Sequence, residues 1–148
     1  MYGNTIIYYV HCKDEHIDDV YIGHTTNFAS RFLNHEQYST MSDMKLYKFI
    51  RDHGGWDNWV MDILCEVRCK SRGEAALEEM YWYYKLRPTL NSVIPGLYYF
   101  KRSIVHDKLY AKRRDVLDRI ISLTKWPKVV LDSWRFCFAQ GCPRGVIE

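Results

Sequence analysis

The chain has 148 residues, enough for one ordinary domain with a modest extension, and 47% of them are apolar, so it can bury a core. Its formal net charge of +3 is too small to indicate nucleic acid by itself. No apolar run is long enough to cross a bilayer, and the N-terminus lacks the pattern of a secretory signal. We therefore predict an intracellular protein that has no membrane partner.

The first predicted elements are the two strands of a hairpin. Residues 6–11 are β-branched and aromatic, residues 12–19 are polar, and residues 20–23 repeat the first pattern. Runs of this composition on either side of a polar loop are typical of paired strands.

Two helices, a third strand and a further helix are predicted next. Asn27 is a candidate N-cap for a helix over residues 28–37, and a second helix is predicted over residues 43–53. Alternating residues predict a strand over 59–66. Ser71 and Glu74 then form a capping-box pattern, which predicts a helix that ends before Pro88.

The C-terminal third differs from the rest in charge. Residues 1–99 carry 10 Lys and Arg against 13 Asp and Glu, whereas residues 100–148 carry 11 against 5. Pro95-Gly96 is interpreted as the boundary, which gives a domain over 1–97 and a basic helical extension over 98–148. An apolar stripe predicts one long helix that ends at Pro127. The stripe consists of Val105, Leu109, Val116, Leu117, Ile120 and Ile121.

Seven basic residues of this extension are candidates for contact with a phosphate backbone. They are Lys101, Arg102, Lys108, Lys112, Arg113, Arg114 and Arg119. A solvated helix face explains the same charges almost as well, and the apolar stripe could pack on the domain, on a partner helix or on a second copy in a homodimer.

The five cysteines are an odd number without a regular framework. Cys65 and Cys69 have three residues between them, and Cys137 and Cys142 have four, whereas a zinc knuckle usually has two. Free thiols in a reducing compartment are the preferred interpretation.

Single residues of the first ninety do not decide the function. Arg31 and His35 are four apart on one face of the predicted helix, which suits phosphate binding or proton transfer but is also common on surfaces. Tyr8 and Tyr21 are typical of sheet packing, and Glu79 taken alone is an ordinary helix glutamate.

In combination and in order, however, these residues resemble the GIY-YIG nuclease family across roughly the first 95 residues. The matching segments are Ile6-Ile7-Tyr8, Val20-Tyr21-Ile22-Gly23, Arg31, His35, Glu79-Met80-Tyr81-Trp82 and Pro88-Thr89-Leu90-Asn91. The resemblance implies an α+β fold in which a small antiparallel three-stranded sheet is flanked by helices.

The resemblance also implies that Glu79 holds a divalent ion, Mg²⁺ or Mn²⁺, because such ions are commonly bound by one carboxylate together with waters and phosphate oxygens. Glu78 is adjacent, about 100° away on the helix, and is expected to point toward solvent. Gly23 is expected where the backbone approaches the next helix or the substrate. Ile6 departs from the family's usual glycine and could narrow the cleft.

The remaining catalytic roles are what the resemblance implies, combined with the chemistry of each side chain. Arg31 would neutralise charge on the scissile phosphate. Tyr8 could act as the base only if a cation or His35 helps to remove its proton, and Tyr21 would orient the phosphate or Tyr8. Asn91 would fix the helix that carries the glutamate against the sheet, with a nucleic-acid contact as the alternative.

The predicted function is therefore a metal-dependent endonuclease that hydrolyses phosphodiester bonds in DNA. The alternative is a catalytically silent nucleic-acid-binding module of the same fold, because fold alone does not fix function. A third interpretation, an interaction protein that pairs through its apolar stripe, concerns the extension and is compatible with nuclease activity.

Overall fold

The computed structural model describes residues 2–126 and 130–132. Two strands come first, two helices and a third strand follow, and the rest of the described chain is helical. The elements are β1 (Thr5–Cys12), β2 (Val20–Thr25), α1 (Phe28–Met41), α2 (Lys45–Asp52), a 3-10 turn (Trp56–Asn58), β3 (Trp59–Val67), α3 (Arg72–Leu86), α4 (Leu97–Val105) and α5 (Asp107–Thr124).

The three strands form one antiparallel sheet in the order β2-β1-β3. In the central strand Tyr8 lies opposite Gly23 of β2, and a bulge between Ile7 and Tyr8 interrupts the pairing with β3. The predicted α+β fold, a small antiparallel three-stranded sheet flanked by helices, is confirmed.

The core consists of two apolar clusters. The first joins β1, α2 and β3 and contains Tyr8, Val10, Cys12, Leu46, Tyr47, Ile50, Trp59, Met61 and Leu90. The second joins α3, α4 and α5 and contains Leu77, Met80, Phe100, Ile104, Val116, Leu117 and Ile120. Helix α3 also contacts β1 and β2, so it lies between the sheet and the last two helices.

The caps predicted from the sequence begin their helices as expected. The Asn27 side chain accepts a hydrogen bond from the Ser30 backbone N–H at 3.0 Å, and the Ser71 hydroxyl accepts one from Glu74 N–H at 3.3 Å. Helix α1 runs four residues further than predicted, to Met41, whereas α2 is shorter than predicted at both ends.

The prediction of one long helix in the extension is wrong. Helix α4 ends at Val105, a second helix begins at Asp107, and Arg113 has non-helical backbone angles that kink α5. The second helix ends at Thr124, where Lys125 adopts a left-handed conformation, and Pro127 lies outside the described residues. Val105 therefore belongs to α4, apart from the rest of the predicted stripe.

Gly96 allows the extension to approach α3 closely. Its φ is 71°, and a Cβ at this position would lie 2.4 Å from the Ala76 carbonyl oxygen. Glycine alone tolerates both the conformation and the contact. The predicted boundary at Pro95-Gly96 is thus a packed turn. In the described part of the chain, no helix is long and apolar enough to span a membrane.

Candidate active site

Three side chains from two elements meet at the Tyr8 hydroxyl. Its oxygen accepts a hydrogen bond from Arg31 Nε at 2.8 Å and lies 2.8 Å from Nε2 of His35. Tyr8 comes from β1 and the other two side chains from one face of α1, as their spacing predicts. The Tyr8 side chain has no exposed surface.

His35 is buried and uses both ring nitrogens. Nδ1 lies 3.0 Å from the Tyr47 hydroxyl, opposite the contact of Nε2 with Tyr8, and the ring stacks on Trp56. Burial, together with the positive charge of Arg31, lowers the pKa of His35 to about 3. The imidazole is therefore neutral near neutral pH, and it has one donor and one acceptor for two tyrosine hydroxyls.

Tyr47 is a residue that the sequence analysis missed. It lies on α2, where it is buried together with Leu46 and Ile50. Its spacing of three residues from Ile50 was a signal that it is buried, but nothing in the sequence linked it to His35. Burial also raises the pKa of Tyr47 to about 12.

The tyrosine hydroxyls of the site hold their protons. Burial raises the pKa of Tyr8, and the neighbouring Tyr21 adds to this effect. Burial likewise raises the pKa of Tyr21, with a further contribution from the negative charge of Glu79, while Arg31 opposes it. Neither tyrosine is a phenolate at rest.

Gly23 makes room for the Tyr8 hydroxyl. A Cβ on Gly23 would lie 2.4 Å from Tyr8 Oη, 2.6 Å from Tyr8 Cζ and 3.1 Å from a ring carbon of Tyr21. The close approach expected at this glycine is present, but its partner is the tyrosine pair instead of a helix.

A cavity of about 320 Å³ opens beside these residues. Its lining consists of Tyr2, Tyr21, Gly23, His24, Thr25, Thr26, Arg31, Arg72 and Glu79. The lining therefore joins β2, α1 and α3 and is mostly polar. Tyr8 lies behind this surface, and Ile6 packs against the first apolar cluster instead of narrowing the cavity.

Glu79 faces this cavity from α3, with its side chain only 11% exposed. Its Oε2 contacts Nδ1 of His24, the residue after Gly23 on β2. Within the described residues no lysine or arginine lies within 4.0 Å of the Glu79 carboxylate. His24 is a second residue that the sequence analysis missed, because a histidine next to a strand glycine carries no signal of its own.

The environment of Glu79 fits a divalent ion. A carboxylate that is almost buried is stabilised by a close positive charge, and in the described part of the chain no lysine or arginine lies close enough to form an ion pair with it. An oxygen donor at a polar cavity is the type of ligand that Mg²⁺ and Mn²⁺ take. Across residues 2–126 and 130–132, His, Cys, Asp and Glu side chains form no group of three or more that could hold a metal.

The expectation that Glu78 points toward solvent is wrong. Its carboxylate oxygen accepts a hydrogen bond from Arg119 of α5 at 3.0 Å, and its side chain is only 17% exposed. Helix α5 covers the face of α3 on which Glu78 lies, which the sequence could not show. The two adjacent glutamates do point to different surroundings, as expected from helix geometry.

Asn91 pairs with the backbone of β2. Its amide nitrogen donates to the Ile22 carbonyl and its amide oxygen accepts from the Ile22 N–H, both at 2.9 Å. The preceding Leu90 N–H donates to the Val20 carbonyl. Asn91 thus attaches the segment after α3 to the strand that carries Gly23 and His24.

The seven basic residues of the extension fall into two groups. Lys101 is buried, Arg113 donates to the Ser103 hydroxyl at 3.1 Å, and Arg119 binds Glu78 and lies over the ring of Tyr81. The other four have exposed side chains and are Arg102, Lys108, Lys112 and Arg114. The first three are therefore either buried or held by contacts with other residues of the chain.

Cys12, Cys65 and Cys69 are free, as predicted, and Cys137 and Cys142 lie outside the described residues. Burial raises the thiol pKa of both Cys65 and Cys69, which keeps them protonated and unreactive.

The structure thus defines an α+β domain with a three-stranded sheet. Arg31 of α1, His24 of β2 and Glu79 of α3 line one polar cavity of this domain. Comparison with protein families gives a match to the GIY-YIG catalytic domain over residues 4–91. The chain therefore belongs to the GIY-YIG family, whose nucleases act on DNA and generally depend on a divalent metal. Searches of curated proteins and of solved structures gave no match.

Proposed function

We propose that this protein is a metal-dependent endonuclease that hydrolyses phosphodiester bonds in DNA. The observation that carries the proposal is the cavity shared by Tyr21, Arg31 and Glu79. These residues supply a hydroxyl, a permanent cation and a carboxylate on one surface, and such groups can bind a phosphate, a metal ion and an attacking water.

Glu79 is proposed as the protein ligand of Mg²⁺ or Mn²⁺. The ion, when bound, would polarise a phosphate oxygen and counteract the negative charge by which Glu79 raises the pKa of Tyr21. Asn91 supports this arrangement because its two hydrogen bonds attach the segment that follows α3 to Ile22 of β2.

Arg31 is proposed to bind the scissile phosphate. Its Nε donates to Tyr8, which fixes the plane of the guanidinium, and the side chain lines the cavity. A guanidinium held in this way can stabilise negative charge that increases in the transition state and never loses its proton.

Tyr21 is proposed to contact the attacking water, with Tyr8 and His35 behind it. Tyr21 lines the cavity, whereas the Tyr8 hydroxyl is fully buried. Neutral His35 can accept a hydrogen bond from the Tyr8 hydroxyl and so keep its oxygen directed at Arg31. The role of Tyr8 as the base itself stays a prediction.

We also propose that the chain consists of a catalytic domain over residues 1–97 and an extension over residues 98–148. We further propose that the protein is intracellular. The free thiols support the location. The exposed residues Arg102, Lys108, Lys112 and Arg114 support a backbone contact by the extension.

The test is incubation of the purified protein with supercoiled plasmid, branched DNA and RNA, with and without Mg²⁺ or Mn²⁺. We expect metal-dependent cleavage of DNA that is lost in Glu79→Gln, because this variant keeps the shape of the side chain but removes its charge. Glu78→Gln is the matched control on the other side of α3 and should retain most activity.

Two results would contradict the proposal. Equal activity of Glu79→Gln and the wild type would exclude Glu79 as the metal ligand. Binding of DNA without cleavage under every metal condition would favour the catalytically silent binding module.

A further inference from the structure

His24 and Glu79 form a pair of unlike donor atoms at the cavity. Nδ1 of His24 and Oε2 of Glu79 are in contact, and their side chains are 19% and 11% exposed. The residues are 55 positions apart in sequence and meet because α3 packs against β2. Both line the same cavity as Arg31.

The contact is a hydrogen bond when Nδ1 carries the imidazole proton, which it donates to the Glu79 carboxylate. In the other tautomer Nδ1 has a lone pair, and a metal ion can then take the place of the proton between the two atoms. Two atoms that bind one ion at bond lengths of about 2.1 Å lie about 3 Å apart when their bonds are at right angles. The atoms of a hydrogen-bonded pair can reach that separation by small rotations of their side chains.

We propose that His24 Nδ1 and Glu79 Oε2 bind one divalent ion together, and that the imidazole makes the site select transition-metal ions such as Co²⁺ over Mg²⁺. The inference rests on the proposed role of Glu79 as a metal ligand. It adds a nitrogen donor to a site for which the sequence analysis predicted a single carboxylate.

The preference follows from ligand chemistry. Mg²⁺ is a hard ion that takes oxygen ligands and retains its waters, so a nearby imidazole adds little to its binding. Divalent ions later in the first transition row bind nitrogen donors more strongly, and Co²⁺ exceeds Mn²⁺ in this order. A carboxylate alone would discriminate less between these ions.

The competing explanation is that His24 only orients Glu79 by a hydrogen bond. Asparagine separates the two roles, because its amide can still donate to the carboxylate but offers no imidazole nitrogen. His24→Asn should therefore behave as the wild type if His24 orients Glu79, and should lose the Co²⁺ preference if His24 is a ligand.

The experiment is calorimetric titration of the full chain with Co²⁺ and with Mg²⁺, without nucleic acid, with circular dichroism to verify folding. We expect both His24→Ala and His24→Asn to lower Co²⁺ affinity by a factor of about ten or more, while Mg²⁺ affinity changes by less than about threefold.

His11→Ala is the matched control. His11 Nε2 also contacts a carboxylate, that of Asp62 at 2.8 Å, but this pair lies on the more exposed surface of the sheet away from the cavity lining. The affinity of the Glu79 site should not change in this variant.

The outcomes separate the inference from the proposed function. Co²⁺ affinity of His24→Asn within about threefold of the wild type would overturn the role of His24 as a ligand. Wild-type Co²⁺ and Mg²⁺ affinity in Glu79→Gln would instead contradict the metal site of the proposed function. If His24→Ala does not fold, the Co²⁺ affinity of His24→Asn alone tests whether His24 is a metal ligand.

Discussion

Replacing Gly23 by alanine tests whether the arrangement of the tyrosines controls the site. The new Cβ would lie 2.4 Å from Tyr8 Oη and 2.6 Å from Tyr8 Cζ, whereas ordinary contacts begin at about 3.4 Å. The tyrosine ring or the strand must therefore move by about 1 Å. Because Tyr8 is fully buried, its ring cannot move without displacing the side chains packed around it.

The loss of folding stability can be estimated from the contacts that this movement breaks. Overpacking of a buried site costs about 1–3 kcal/mol. The hydrogen bonds of Tyr8 with Arg31 and His35 are both 2.8 Å long and would exceed bonding distance, at about 1 kcal/mol each. Alanine also lowers the conformational entropy of the unfolded chain, which offsets about 0.4–1 kcal/mol of this destabilisation. We expect Gly23→Ala to lower the free energy of unfolding by about 2–4 kcal/mol.

The assay is urea unfolding together with plasmid cleavage under conditions in which the variant remains folded. Cleavage should fall by a factor of about one hundred, because Arg31 loses the bond that fixes its plane. Gly3→Ala is the control, since nothing lies within 4 Å of a Cβ at that exposed position. A loss of stability below about 1 kcal/mol with normal cleavage would refute the reasoning.

Three further predictions concern the arginine, the histidine partner and the extension. Arg31→Ala should lower kcat by at least about a hundredfold with little loss of DNA binding, and Arg31→Lys should rescue it poorly because lysine lacks the planar fork. A loss of binding at unchanged kcat would make Arg31 a positioning contact. Tyr47→Phe leaves a buried nitrogen of the imidazole without its partner, so unfolding should become easier by about 1–3 kcal/mol, as measured with urea. Combined replacement of Lys108, Lys112 and Arg114 by alanine should reduce the salt slope of DNA binding by about two to three units, and an unchanged slope would assign these charges to a solvated surface.

The sequence predicted those features that depend on neighbours in the chain. Asn27 and Ser71 were identified as caps because each cap bonds to a residue three positions ahead. Arg31 and His35 were placed on one face because helix geometry fixes that relation. The three strands followed from composition and alternation, and their assembly into a sheet followed from the family resemblance.

The sequence did not predict the contacts between distant segments. His24 meets Glu79 and Glu78 meets Arg119 only because α3 packs between β2 and α5. The kink at Arg113 has no proline or glycine to announce it. Its guanidinium donates to Ser103 of α4, so the position is set by packing between helices that local pattern does not encode.

The adjacent glutamates show how the extension is linked to the site. Glu79 faces the cavity, while Glu78, one position earlier, binds Arg119 of α5. Arg119 lies beyond the part of the chain that matches the family. Leu77 and Met80 of the same helical turn are fully buried against the second apolar cluster. Without α4 and α5 these two side chains would be exposed to water, so the extension stabilises the helix that carries Glu79 whether or not its exposed lysines and arginines contact DNA.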